Sequence, residues 1–485
     1  MSFARMMSLA ISFARSLVIP GLLGPTTYGI WKSLAMIQTY AQFGDLGARA
    51  ALKREIPFYA GKGDSVRLSA SRNVAFLVNN LSILAAGVCT IAAAFLMDDS
   101  ALGHAMLLFL PLLYTAHINS FMEQLLYAQK EFTWMSRLNM WTGVMEAVLA
   151  ISMTWAFGLT GLILGTALSY TIGTWMQMRR VGYDLHLRWD RGVFRELVMV
   201  GFPSHLNGLL YNIFLWVDRW LILTFLGLTS FGYYALGMTI NEYLFQFSYT
   251  LGNIISPRLV ERYAERENVE DLRRMVEVPM ILISRIAPAV LGAVYFASDA
   301  VVRTMLPRFE PALPSLQILL VGTFFSSVPR GLSSFFITLR HQSQTVWLYM
   351  AAIVLNAALV WWLIRSGHGL AGAAAGTTTT LALFGFGMIV MALRYFMPAR
   401  EIALFLLNTI WPLPLALALV WLARQCGMAL TGGGTGSGGT VNVRLIAAQA
   451  IGAAIFLAAY SPVLIRLYRT YGGHLDAPPD GGETA

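Results

Sequence analysis

The sequence predicts an all-α integral membrane protein with about 14 transmembrane helices, in two pseudo-symmetric six-helix lobes followed by two C-terminal helices. Three observations predict it. Hydrophobic residues make up 57% of the chain and charged residues 12%, against about 25% charged in an ordinary soluble domain. Apolar segments recur along the whole chain, each near the roughly 20 residues that cross a bilayer as a helix. Stretches of the first half also return, in the same order, in the second.

The apolar segments are 3–23, 28–46, 73–96, 104–128, 138–157, 159–178, 199–226, 231–256, 277–297, 313–338, 345–364, 370–392, 402–423 and 444–466. Their order carries the repeat. LLGPTTYGIW, from Leu22 to Trp31, is echoed in FLGLTSFGYY, where Gly227, Thr229, Phe231 and Gly232 stand for Gly24, Thr26, Tyr28 and Gly29. A second echo pairs GLTGLILGT (Gly158–Thr166) with GLAGAAAGT (Gly369–Thr377), each between the fifth and sixth segments of its half. The glycines suit tight hairpins and close helix packing. The expected domains are therefore 1–198, 199–397 and 398–485, the last holding two appended helices and a tail. Parallel repeats of this kind suit a two-lobed transporter with a site between its lobes.

Arginine and lysine set the orientation. Loops after even-numbered segments, with the tail, hold twenty-three of them, from Arg49 to Arg469; loops after odd-numbered segments hold only Arg303, Arg308, Arg365 and Arg424. Positive residues stay on the cytoplasmic side, so both termini are expected there. The net charge of +9 is thus accounted for by topology and lipid head groups, and no nucleic-acid partner is expected. Residues 47–72 and 257–275 mix basic, acidic and aromatic residues, as amphipathic helices on the membrane surface do. TGGGTGSGGT (431–440) is expected as a flexible outward loop without a nucleotide role, and DAPPDGGETA (476–485) as a disordered tail.

Charged residues inside apolar segments are the functional candidates, because charge at membrane depth is costly and faces a protein interior or a water-filled cavity. The bases are Arg15, Lys32, Arg219, Arg285 and Arg330; the acids are Asp45, Glu123, Glu146, Asp218 and Glu242. Arg15, Arg219, Arg285 and Arg330 are read as cavity-lining groups that bind an anionic substrate. Asp218, Glu242, Asp45, Glu123 and Glu146 are read as ion-coupling or structural acids, while Lys32 and Asp45, near segment ends, can also reach the interface. Asp218 and Arg219 are adjacent on one helix, so their side chains diverge, one expected to face the cavity and the other to pair with a neighbouring helix. Tyr211, Trp216 and Tyr243 flank these positions and read first as packing. The histidines are scattered, and no catalytic or metal-binding spacing appears, so neither an enzyme nor a cofactor is expected. Cys89 and Cys426, far apart in apolar surroundings, suggest no disulfide.

LLGPTTYGIW, FGDLGARAALKREIPFYAGKGD and GFPSHLNGLLYNIFLWVDRWLILTFLGLTSFGYYALG together resemble the bacterial polysaccharide transporter family. This is the O-antigen and exopolysaccharide repeat-unit flippase branch of the multidrug/oligosaccharidyl-lipid/polysaccharide exporter superfamily. LNAALVWWLIRSGHGLAGAAAGT, with Asn356, looks like that family's eleventh and twelfth helices, and Asn356 joins the substrate-binding candidates on that ground. The resemblance covers nearly the whole chain, with one departure: no basic lead-in precedes the first segment, as expected of a late start or a short first helix.

The resemblance implies alternating access in the bacterial inner membrane. The substrate would be an oligosaccharide repeat unit linked through pyrophosphate to undecaprenol, for lipopolysaccharide or exopolysaccharide synthesis. Expected partners are that lipid-linked oligosaccharide, membrane lipids, a proton or sodium gradient, and a polysaccharide polymerase. The close alternative is a cation-coupled multidrug or small-molecule exporter of the same fold, which an arginine-lined cavity disfavours. The distant alternative is a membrane glycan polymerase or ligase, which would need catalytic residues in an extended outer loop.

Overall fold

The computed structural model describes residues 2–97, 100–181, 185–266, 269–339, 341–430 and 443–475. Both low-complexity stretches, 431–440 and 476–485, lie outside them. Fifteen α-helices and no strand are formed by the described residues: α1 (Ser2–Leu23), α2 (Pro25–Ala41), α3 (Ala48–Lys62), α4 (Ser65–Leu96), α5 (Ser100–Ala128), α6 (Phe132–Val181), α7 (Arg191–Arg266), α8 (Arg273–Met305), α9 (Leu313–Ser327), α10 (Leu332–Thr338), α11 (Gln342–Leu363), α12 (Gly369–Leu393), α13 (Ala399–Ile410), α14 (Pro412–Leu430) and α15 (Val443–Leu475). Nine helical stretches among them are long and apolar enough to cross a membrane. Three of these run to 50, 55 and 51 residues, each enough for two crossings. With α1 and α2 added, each of the fourteen apolar segments coincides largely with helix.

The three long stretches double back at glycine. α6 turns at Gly158 (φ 59°, ψ −135°) and α7 at Gly227 (φ 80°, ψ 178°). The stretch through α11 and α12 turns at Gly367 and Gly369. Positive φ is costly for a residue with a Cβ, so glycine supplies these corners. The echoed corners also share their backbone shape. Gly24 (φ 76°, ψ 170°) matches Gly227, and Gly369 (φ 52°, ψ −137°) matches Gly158. The repeat read in the sequence is therefore a repeat of conformation.

Two elements depart from expectation. The second segment, expected to run to residue 46, stops at Ala41 and enters a turn through Leu46 (φ 52°) and Gly47 (φ 86°). Asp45 makes that turn: its carboxylate accepts from the backbone N–H of Gly47 at 3.1 Å and of Arg49 at 3.3 Å. Of residues 257–275, expected as a surface helix, 257–266 continue α7 without a break and 273–275 open α8. Their counterpart in the first half, α3, does stand alone. It buries Leu52, Ile56 and Tyr59 and leaves Arg54 and Phe58 exposed.

The chain divides into two compact units: residues 1–216 with 226–235, and residues 217–225 with 236–485. The first unit has one core of Leu52, Val74, Phe121, Met122 and Leu197, and a second of Leu34, Ile83, Phe109, Leu112 and Ile163. The second unit packs Leu272, Met280, Leu320, Phe324, Phe335 and Leu393 together. Ala289, Phe296, Val420, Phe456 and Tyr460 form a further cluster that holds α14 and α15 on α8. Within a membrane, apolar contact gains little over lipid, so close van der Waals packing and buried polar links must hold helices together.

One such close contact joins the two echoed turns inside the first unit. Thr26 and Thr229 share a hydrogen bond of 2.8 Å. A Cβ on Gly29 would meet the carbonyl of Leu228 at 2.1 Å, and a Cβ on Gly232 would meet the carbonyl of Pro25 at 1.9 Å. Residue i touches j and j touches i, which is the signature of a local two-fold axis.

Candidate substrate-binding site

In the first unit, α1 carries Arg15 and the first half of α6 carries Glu146. The two side chains form an ion pair, each about a quarter exposed or less, at 26% and 20%. Asp45 is buried, 1% exposed, and holds Arg49 Nε at 3.4 Å and His205 Nε2 at 3.5 Å. Arg49 also donates to Ser120 Oγ and to the Gln42 carbonyl, both at 3.0 Å. Glu123, half-buried on α5, lies within electrostatic reach of Arg49. Asp45, Glu123 and Arg49 thus tie α3 to α2 and α5. Lys32 sits 5.4 Å from the ring of Tyr28 on its own helix.

In the second unit, Asp218 and Arg219 diverge as adjacent helical residues must. Asp218, 1% exposed, accepts from the hydroxyl of Thr377 at 3.0 Å and from the Arg219 backbone N–H at 2.8 Å. Asn356, also 1% exposed, brings its Oδ1 to 3.5 Å from that hydroxyl. Arg219 turns the other way and donates to Glu242 Oε1 at 2.8 Å. The arginine side chain of this pair is 7% exposed and the carboxylate 48%, so the acid is its accessible end.

Arg285 and Arg330 are two half-buried bases of this unit. Arg285, on α8, donates to Asn408 Oδ1 at 3.1 Å and to the Ile281 carbonyl at 3.2 Å. Arg330 lies in a 3₁₀ turn, Val328–Gly331, that interrupts the tenth apolar segment between α9 and α10; its guanidinium sits 5.4 Å from the ring of Phe245. Irregular backbone at membrane depth is tolerated where it is buried in protein or lines a water-filled cavity. This break makes Arg330 a stronger candidate than position alone did.

The repeat relates the two polar clusters. Echoed turn residues stand 203 positions apart, and the same spacing takes Arg15 to Asp218. The second echo's spacing of 211 takes Glu146 to Ala357, next to Asn356. The first helix of each half thus makes a polar contact from the matched position, Arg15 to Glu146 on the fifth segment in one and Asp218 to Thr377 on the twelfth in the other. Thr377 and Asn408 were not singled out from the sequence. The signal for Thr377 was present, since it closes the second echo. Asn408 had none, being one amide in an apolar run.

Residues 18–309 match the polysaccharide biosynthesis protein family, which is more than half of the chain. The chain belongs to that family. Members of the multidrug/oligosaccharidyl-lipid/polysaccharide superfamily share its fold. The lipid II flippase MurJ, in an inward closed conformation, superposes with a TM-score of 0.68 at 12% identity, covering 97% of this chain and 98% of that one. A multidrug resistance MATE family transporter in an inward-facing conformation gives 0.64 at 15% identity, over 82% and 95%. A superfamily transporter from Pyrococcus furiosus, described as having a binding pocket of reversed polarity, gives 0.57 at 14%, over 83% and 95%. No curated protein matches the sequence. This family member is thus a multi-pass, all-α membrane protein with the fold of that superfamily.

Proposed function

We propose that the protein is a flippase that carries undecaprenyl-pyrophosphate-linked oligosaccharide units across the bacterial inner membrane for surface polysaccharide synthesis. Membership in the polysaccharide biosynthesis family, over residues 18–309, is the observation that carries this reading. The charges are consistent with it. A pyrophosphate-sugar head group is anionic and bulky, and it needs charge-assisted donors to leave water. Arg15, Arg285 and Arg330 are partly accessible bases at membrane depth, and Arg219 is a buried one behind Glu242. Asn356 belongs to the proposal as a polar neighbour of Asp218.

Alternating exposure to the two faces would carry the head group while the prenyl chain stays in lipid. Glu242, accessible and paired with Arg219, is the acid best disposed to exchange a proton or sodium ion during that cycle. The domains are proposed as two repeats, 1–198 and 199–397, with 398–485 appended. Both termini are proposed to lie in the cytoplasm, with a polysaccharide polymerase as downstream partner. The likeness to a multidrug transporter keeps a second reading, a cation-coupled exporter that would use Glu242 and Asp218 directly.

Deleting the gene should leave lipid-linked repeat units accumulating in the inner membrane and remove surface polysaccharide. Wild-type protein should restore it, and the double variant Arg285→Ala, Arg330→Ala should not, at equal membrane abundance. Restoration by the double variant at wild-type level would refute the arginine assignment. Unchanged surface polysaccharide in the deletion strain would refute the function.

A further inference from the structure

Of the four basic residues that the charge count assigns to the outward loops, three converge on one cleft of the second unit. Arg303, Arg308 and Arg424 line a cavity of about 740 Å³ with Asp299, Glu310 and Gln317. That is within the size range of small-ligand sites. The charges do not cancel. Arg303 takes up both acids, with its Nε 3.1 Å from Asp299 and Nη1 on Glu310. Asp299, 3% exposed, also accepts from Gln449 at 2.7 Å. Arg424 donates to the hydroxyl of Tyr295, an uncharged partner, at 2.9 Å. Arg308 is exposed and has no hydrogen-bond or ion-pair partner among the described residues.

A narrow apolar slot of about 80 Å³ adjoins this cleft, and Gln317 lines both. Its walls are Leu291 and Tyr295 of α8, Val321 of α9, and Leu417 and Val420 of α14. On each of the three helices the slot residues lie deeper than the cleft residues. Tyr295 precedes Arg303, Val321 follows Leu313, and Val420 precedes Arg424. At 1.5 Å per residue, the displacement is roughly 6–12 Å along the helices. The site therefore has a cationic mouth at one end of the unit and an apolar floor toward the middle of the helices. An anion with a hydrocarbon chain matches both parts, since guanidinium groups hold phosphate oxygens by charge-assisted bonds.

We infer that the cleft formed by Arg303, Arg308 and Arg424, with the slot beneath it, binds an anionic lipid of the outward leaflet. The phosphate lies on Arg308 and Arg424, and one chain enters between α8, α9 and α14. This site is separate from the arginines proposed to carry the transported head group, and it does not depend on them.

The test measures lipid binding to the purified full-length protein by native mass spectrometry. Phosphatidylglycerol and phosphatidylcholine of identical chains are compared, with glycerol 3-phosphate as the chain-free probe. The wild type should retain phosphatidylglycerol at least about tenfold more strongly than either of the others. Arg308→Ala should weaken that preference and Arg308→Glu should abolish it; both substitutions are at an exposed position and spare the fold. Leu417→Trp, which fills the slot, should weaken phosphatidylglycerol and leave glycerol 3-phosphate unchanged. Arg285→Ala should keep the wild-type preference. Three results would overturn the inference: full retention in Arg308→Glu, glycerol 3-phosphate binding as tightly as the lipid, or loss of the preference in Arg285→Ala. The last would move the lipid to the proposed transport site.

Discussion

The buried charges Asp45, Asp218 and Arg219 each have a named side-chain partner, and the consequences can be tested one residue at a time. Removing the hydroxyl of Thr377 should leave the Asp218 carboxylate short of a donor at a site that is 1% exposed. Thr377→Val is expected to lower stability by about 1–3 kcal/mol, read as a lower melting temperature in detergent. Thr377→Ser, which keeps the donor, should lose much less. Outside the membrane-spanning segments, Tyr59 on α3 donates to Glu196 at 2.6 Å. That hydrogen bond to a carboxylate, with burial behind it, pushes the phenol up to about 12. A raised value in the folded state means the contribution is complete below the ordinary tyrosine value of about 10 and is lost as pH climbs from there toward 12. Tyr59→Phe should be less stable than the wild type at pH 8, and the gap should close between pH 10 and 12. A gap of constant size across that range would show that the hydrogen bond contributes nothing.

At the level of elements, the glycine corners decide the course of the chain. The contact between α2 and the second arm of α7 depends on Gly29 and Gly232 having no side chain, because each faces a carbonyl about 2 Å from where a Cβ would stand. Gly29→Ala and Gly232→Ala should each cost about 1–3 kcal/mol through overpacking. The two costs should not add, since either substitution already separates the same pair of turns. Additive losses in a double-mutant cycle would mean that the two glycines act independently. All fourteen apolar segments and both echoes were legible in the sequence because hydropathy and glycine spacing are local signals. Three features were not. The turn at Asp45 hid inside an apolar run, where nothing local showed that its carboxylate accepts from the Gly47 and Arg49 N–H groups. The break at Val328–Gly331 was carried by Pro329 and Gly331 within a segment that otherwise looked continuous. The gathering of Arg303, Arg308 and Arg424 joins residues more than a hundred positions apart, and no local pattern encodes that.

For the whole molecule, the proposed duplication puts Arg15 and Asp218, 203 positions apart, at matched places on the first helix of each half with opposite charge. The first half uses an arginine–glutamate pair where the second uses an aspartate held by a threonine hydroxyl. The charge count predicts that reporter domains fused after residues 62, 130 and 469 remain cytoplasmic, and that one inserted after residue 308 is exported. An exported reporter at residue 469 would reverse the proposed orientation. Transport itself is the central claim. It is tested most directly in liposomes holding the purified protein and a fluorescent undecaprenyl-pyrophosphate oligosaccharide, by following how fast the inner-leaflet label becomes accessible outside. The account predicts transfer well above that of protein-free liposomes and at least about tenfold slower in the double variant Arg285→Ala, Arg330→Ala, the loss of two charge-assisted contacts. Transfer no faster than in protein-free liposomes, or equal rates for wild type and double variant, would contradict it.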